Sequence, residues 1–305
     1  MDVELQDPNG ALLAPAGLTV RAWRVGKAVD RVVSRRDAGT MARVCWMCGR
    51  DGLTAEHAFP RWIRDLFRGD SPGLVTDHAR GIRQFDRTRE VRDFNATVRS
   101  ICAACNNGWM ARLESEAKRV LGPMILGRAA LLEPAHQEIL ARWAVKTALV
   151  FQSRSPDSAA VGDDERHEFS RPPHILPKGT TVRIAALEIT GNVVRCAHWY
   201  VAGSSQGQDV PDTFSSLFTL GHCLLLVVKT NPELPASRSP DWDLRAPKLL
   251  PGEPVTLNWP PSPALTEADL QGFARSGFAT TAELDPLPAL TGAQHSTLPA
   301  DGDFR

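Results

Sequence analysis

The spacing of apolar and polar positions changes along the chain, and each change predicts a different element. Between Pro134 and Phe151 the positions Ile139, Leu140, Trp143, Ala144, Thr147, Val150 and Phe151 recur every three or four residues, which predicts a helix docked by one stripe. Pro134 suits the first turn of that helix. From about 180 to 229 the pattern becomes that of strands. TTVRIAALEI and VVRCAHWYV flank Gly191-Asn192, a turn pair that predicts a hairpin. SLFTLGHCLLLVVK is apolar almost throughout and predicts one further, more deeply buried strand. The stretch RWIRDLFR predicts a short amphipathic helix with Trp62, Ile63, Leu66 and Phe67 inward and Arg61, Arg64 and Arg68 outward.

The two ends of the chain are less regular. Residues 1–40 sustain no period and read as a partly flexible arm, with one short basic helix at VGKAVDRVVSRR. Residues 232–305 hold 12 of the 23 prolines and read as a tail of extended chain. Its one predicted helix is TEADLQGFAR, capped by Thr266 and stapled by Leu265 against Leu270. The expected organisation is an arm over 1–40, a compact module over 41–128, a helix with a β-rich domain over 129–231, and the tail. The expected class is α+β.

Composition and charge narrow the class of function. A chain of 305 residues can bury a sizeable core. No run of about 18 apolar residues predicts a membrane-spanning helix. The start, MDVELQDPNG, lacks the basic and apolar stretches of a secretory signal, so the expected compartment is the cytoplasm. Formal net charge is zero, but residues 21–128 hold 21 Lys+Arg against 12 Asp+Glu, and the remainder 14 against 23. A basic segment joined to an acidic remainder suits a face for a polyanion, and equally a solvated arginine-rich surface.

Six cysteines carry the chemistry. Cys45 and Cys48 form one C-x2-C pair, and Cys102 and Cys105 form a second. A cytoplasmic chain of this size needs no disulfide scaffold, so paired cysteines read as metal ligands. Two pairs, each presented by a tight turn, suit a structural Zn²⁺, which takes four thiolates tetrahedrally. Cys196 and Cys223 stand alone in strand-like runs and read as small buried hydrophobes. Just after the first pair comes Glu56-His57-Ala-Phe-Pro60, and the second pair is followed at once by Asn106. A common zinc would fix both segments near each other. His57 is then free to act as a base, or is an ordinary surface histidine.

This arrangement resembles the zinc-stapled members of the HNH endonucleases, the ββα-metal or His-Me finger group. Cys45-x2-Cys48, Glu56-His57-x-x-Pro60 and Cys102-x2-Cys105-Asn106 stand in the family's order, over residues 42 to 119. The resemblance implies a ββα fold and metal-dependent hydrolysis of nucleic-acid phosphodiester bonds, with double-stranded DNA as the expected partner. It implies His57 as general base, and Glu56 and Asn106 as ligands of a catalytic Mg²⁺ or Mn²⁺. Asn95 would orient His57. Arg61, Arg64, Arg68 and Arg99 are expected to meet backbone phosphates.

The sequence departs from the family's pattern at several points. Glu56 stands for the usual aspartate, Thr97 holds the place of the central asparagine with Asn95 two residues earlier, and no histidine follows Asn106 on the helix. Asp77-His78 is a rival acid-histidine pair, without the following proline; otherwise His78 reads as a loop histidine. Two other readings stand beside the enzyme: a non-catalytic zinc knuckle that binds nucleic acid, and a protein-interaction module anchored by zinc.

Overall fold

The structure, a computed structural model, describes residues 44–67, 73–80, 85–91, 97–154, 160–188, 194–205, 208–230, 245–250, 252, 255–266 and 268–270. The basic helix expected at VGKAVDRVVSRR, Arg68, Asn95 and everything beyond Leu270 lie outside the described residues. All the described residues belong to one compact unit, Arg43–Arg305. It mixes helix and sheet, in keeping with the α+β expectation.

Two strands and a helix frame the cysteine-rich part. Strand β1 (Leu53–His57) runs antiparallel to β4 (Thr97–Cys102), with Leu53 opposite Cys102 and His57 opposite Thr97. Between them come the short helix α1 (Arg61–Leu66) and strands β2 (Gly73–Arg80) and β3 (Phe85–Val91). Helix α2 (Ala111–Ile125) follows β4, β5 (Ala130–Leu132) follows α2, and the long helix α3 (Pro134–Gln152) comes next. Then come helix α4 (Asp163–Phe169), strands β6 (Thr180–Ala186), β7 (Val194–Ser205), β8 (Gln208–Leu220) and β9 (Cys223–Lys229), and the short β10 (Lys248–Leu250) and β11 (Leu257–Trp259).

The large sheet has seven strands in the order β10-β6-β9-β8-β7-β2-β3. Strand β2 pairs in parallel with β7, Gly73 facing Val194. Residues from the cysteine-rich segment and from the C-terminal half thus share one sheet. Asp77 and His78 belong to β2, so His78 sits in a strand and not in a loop.

Helix α3 begins at Pro134, as its sequence predicts. Its burial goes further than a stripe, because from Leu140 onward only Arg142 escapes the interior. The helix packs against β6, β9 and β10 on one side and against α2 and β4 on another. A helix covered on both sides has no polar face, so its buried polar residues Lys146, Thr147 and Gln152 need an account of their own.

The hairpin expected at Gly191-Asn192 does not form between the two runs that flank it. Strand β6 pairs with β9 and β10, and β7 pairs with β8 and β2. The tight hairpin lies instead inside the run read as a single strand, where β8 and β9 meet at Gly221-His222. Gly221 has φ +54, and a β-carbon there would stand 2.4 Å from the Ile125 carbonyl oxygen. Only glycine fits this first turn position. The His222 N–H donates to the same carbonyl at 3.0 Å and ties the turn to the end of α2. His222 is therefore a turn residue.

Thr266 caps a helical turn at Ala268–Leu270, as expected: its hydroxyl accepts from the Asp269 N–H at 3.3 Å. Leu265 and Leu270 are buried in the same cluster.

Candidate functional site

The four paired cysteines meet. Their sulfur atoms all lie within 4.8 Å of one another, and Cys48 Sγ stands 3.6 Å from Cys102 Sγ. Four sulfurs at about 2.3 Å from a tetrahedral zinc are about 3.8 Å apart, so the cluster has the size of a closed zinc site. The local chain explains the geometry. Residues Cys45 to Gly49 form a tight turn, with the Gly49 N–H on the Cys45 carbonyl at 2.8 Å and Gly49 at φ +72. Cys102 ends β4, where its own N–H donates to Cys45 Sγ at 3.3 Å. Arg50 Nε donates to Cys48 Sγ at 3.3 Å. Such donors offset charge on thiolates and orient them for a metal. In the protein alone, a hydrogen bond from Cys105 drops the Cys45 thiol to about 4 while Cys105 is pushed up. The group shares its protons, and a dication can displace them. The residues fit zinc.

Segments outside the two cysteine pairs grip this cluster. Arg166 of α4 is buried, donates to the Trp46 carbonyl at 2.9 Å, and places its guanidinium carbon 3.5 Å from the centre of the Trp46 ring. It also bonds Val161 and Asp163. Trp109, one turn beyond Cys105, packs edge-on against Phe169 and stacks on His174 at 5.0 Å. Nothing in the sequence around Arg166 marks this role.

His57 is the last residue of β1 and is partly buried. The segment after it is pinned: Ala58 is fully buried, and Phe59 meets Phe151 of α3 edge-on at 5.3 Å and Phe218 of β8 at 5.9 Å. Pro60 then precedes α1, which places Arg61 exposed and Arg64 partly exposed. Burial, then the nearby Arg61 and Arg64, lower the His57 pKa below its ordinary 6.5, and Glu114 opposes them. The imidazole is therefore neutral at neutral pH. Arg99 is exposed on β4.

Successive residues of a strand point to opposite faces, and Glu56 goes inward. It is only 5% exposed, and its Oε1 lies 4.0 Å from Lys146 Nζ. Lys146 has no exposed surface and holds Glu114 of α2 at 2.6 Å. Asn106 falls in a widened, irregular turn, Cys105–Met110, broken at Gly108 before the regular helix begins. Its amide nitrogen donates to Thr54 Oγ1 at 3.2 Å and to the Ala55 carbonyl at 3.3 Å. The turn after the second cysteine pair is thus bound to β1, two and three positions ahead of His57. Among the described residues, no hydrogen bond links Asn106 to Glu56 or His57. A dication on Glu56 would stand beside the Lys146 ammonium, so Glu56 does not fit the catalytic ion as the zinc ligands fit theirs, whereas the bonds of Asn106 engage its amide nitrogen and not its Oδ1.

Burial raises the Glu56 pKa from 4.5 to about 7, with Lys146 opposing and Glu114 assisting. The folded protein therefore holds this proton more tightly than the unfolded chain. The stability contributed is full below pH 4.5 and is lost as pH rises through about 7. Glu56→Gln should remove that slope and leave the variant more stable than wild type at pH 8 by on the order of 2 kcal/mol, with little difference at pH 4.5. Urea unfolding at the two pH values measures this, and parallel pH profiles for both proteins would refute it.

The other single cysteines are buried as expected. Cys223 is wholly enclosed, and its thiol pKa is pushed up by burial. Cys196 lies 2.9 Å from His198 Nε2, and His198 Nδ1 lies 2.7 Å from Ser216 Oγ, all inside the core. No helix among the described residues is long and apolar enough to cross a membrane. No protein-family model, curated protein or solved structure matches the chain.

Proposed function

We propose that the protein is a nucleic-acid phosphodiester hydrolase of the HNH kind, acting on double-stranded DNA with His57 as general base. The observation that carries this reading is the position of His57. It ends a strand whose partner runs into the four-thiol cluster, it is kept neutral, and Arg61 and Arg64 stand close by. A neutral imidazole can accept a proton from water as the oxygen attacks phosphorus. Guanidinium groups beside it suit non-bridging phosphate oxygens and would fix the scissile bond against His57. Two paired strands followed by a helix are the order that the resemblance implies. A Mg²⁺ or Mn²⁺ ion, when bound, would supply Lewis-acid stabilisation of the developing charge. The expected products carry a 5′-phosphate and a 3′-hydroxyl.

The test is incubation of supercoiled plasmid with purified protein in Mg²⁺, Mn²⁺ or EDTA. Nicked or linear DNA with a divalent ion, and none in EDTA, supports the reading. The inward turn of Glu56 favours a second reading, a zinc-knuckle module that binds nucleic acid without cutting it. No cleavage of DNA or RNA with any of these ions would select that reading.

Both readings need the arginines. Binding to a DNA duplex should weaken steeply with salt. Arg61→Ala/Arg64→Ala should lower affinity by similar factors for unrelated sequences and reduce the log–log salt slope by about 1–2. Fluorescence anisotropy at several salt concentrations measures the slope, and an affinity indifferent to salt would refute the phosphate role.

A further inference from the structure

Lys146 projects from the middle of α3 with no exposed surface, and two carboxylates meet it from two other elements. Glu114 Oε1 of α2 is 2.6 Å from its Nζ, and Glu56 Oε1 of β1 is 4.0 Å away. A charged ammonium is sustained in a protein interior only by such partners. Three elements therefore converge on one cation, on the inner side of the strand that ends in His57. We infer that Lys146 is the resident cation of this site, and that Glu56 serves as its partner and not as a ligand of a divalent ion.

The inference deepens the His57 reading and rests on it for its functional meaning. It makes Lys146 and Glu56 positioning residues: they hold the end of β1, and with it the imidazole, against α2 and α3. Two observations carry it. Glu56 is 5% exposed and faces Lys146 Nζ at 4.0 Å, a setting that disfavours an ion such as Mg²⁺ or Mn²⁺ that keeps several waters. A dication on Glu56 would also stand beside the ammonium in a low-dielectric interior, where like charges repel strongly. Asn106, the other ligand that the resemblance implies, bonds Thr54 and Ala55 through its amide nitrogen alone, which leaves its Oδ1 as an atom that a divalent ion could use. Any divalent-ion requirement then arises at groups other than Glu56. The fixed positive charge near His57 comes from Arg61 and Arg64.

Mn²⁺ binding to the full-length, zinc-loaded protein, followed by electron paramagnetic resonance without nucleic acid, tests this directly. Glu56→Gln should leave the Mn²⁺ affinity within about twofold of wild type, whether wild type binds weakly or not at all. A loss of about tenfold or more would make Glu56 a ligand and overturn the inference. Lys146→Met removes the cation and leaves two facing carboxylates, so Mn²⁺ should bind about tenfold tighter or better, and the gain should vanish in Lys146→Met/Glu56→Gln. No gain in a zinc-loaded Lys146→Met protein would also overturn it. Zinc content reports whether Lys146→Met has folded, and if it has not, the Glu56→Gln titration decides alone. Cleavage of plasmid by wild type is a separate readout. Its absence would end the nuclease reading while the Mn²⁺ results still judge Lys146.

Discussion

Replacing Cys102 by serine should strip the protein of zinc and of most of its stability. Wild type is expected to hold about one zinc per protomer. Binding of a structural zinc by four thiolates is worth about 10–16 kcal/mol near neutral pH, as much as or more than the whole stability of a typical domain. Cys102 is well placed to lose it all. It ends β4, pairs with Leu53 of β1, and carries both a sulfur for the cluster and an N–H bonded to Cys45 Sγ. Without it the turn at Cys45–Gly49 loses its metal anchor, and the bonds from the Trp46 N–H to Ser100 and from Arg166 and Asn106 are left to hold the segment alone. Elemental analysis and thermal melting check this. Cys223→Ala, in the core and away from the cluster, should retain the metal. A full complement of zinc in Cys102→Ser would remove the basis for a four-cysteine site.

His57→Ala should reduce cleavage by roughly 10²–10⁴-fold, the usual cost of losing a positioned proton acceptor. Zinc content and DNA affinity should stay close to wild type, because His57 belongs to neither the thiol cluster nor the phosphate contacts. The pH profile of wild type should carry the same signature. Burial and the two arginines lower the imidazole pKa, so activity should hold down to the ordinary histidine range and fall only below it. His78→Ala is the control: His78 sits in β2, a strand paired on both sides, and should matter little. Full activity of His57→Ala with loss in His78→Ala would move the site to the Asp77-His78 pair.

What the sequence could reveal depended on whether the signal was local. Cys45, Cys48, Cys102 and Cys105 announce their convergence by spacing alone, since each C-x2-C is a complete local turn. Pro134 marked the start of α3, and Thr266 its short helix, for the same reason. Periodicity misplaces the hairpin because β9 and the described side chains of β8, Phe214–Leu220, are buried on both faces. Neither alternates, and a single Gly221-His222 is a weak turn signal inside an apolar run, whereas Gly191-Asn192 is a strong one with no strand pairing across it. The direction of Glu56 was also hidden. A motif lists neighbours in the chain, but the strand sends Glu56 and His57 to opposite sides, and Lys146 lies ninety residues further on. A lysine inside the apolar run AVKTALVF was the available hint that a buried carboxylate awaited it. Arg166 and its hold on Trp46 left no such trace.

The parallel pairing of β2 with β7 has a consequence in time. Gly73 finds its partner in Val194, so roughly 120 residues, or about 6–24 s of synthesis at 5–20 residues per second, separate the appearance of the two strands. Cys45 and Cys48 precede Gly73, and Cys102 and Cys105 follow within that interval, so all four cysteines are made before Val194. Metal capture can therefore come first, and the nascent chain then waits with a finished thiol cluster and an open strand edge. That edge is the segment most open to mispairing until the C-terminal half arrives to close it.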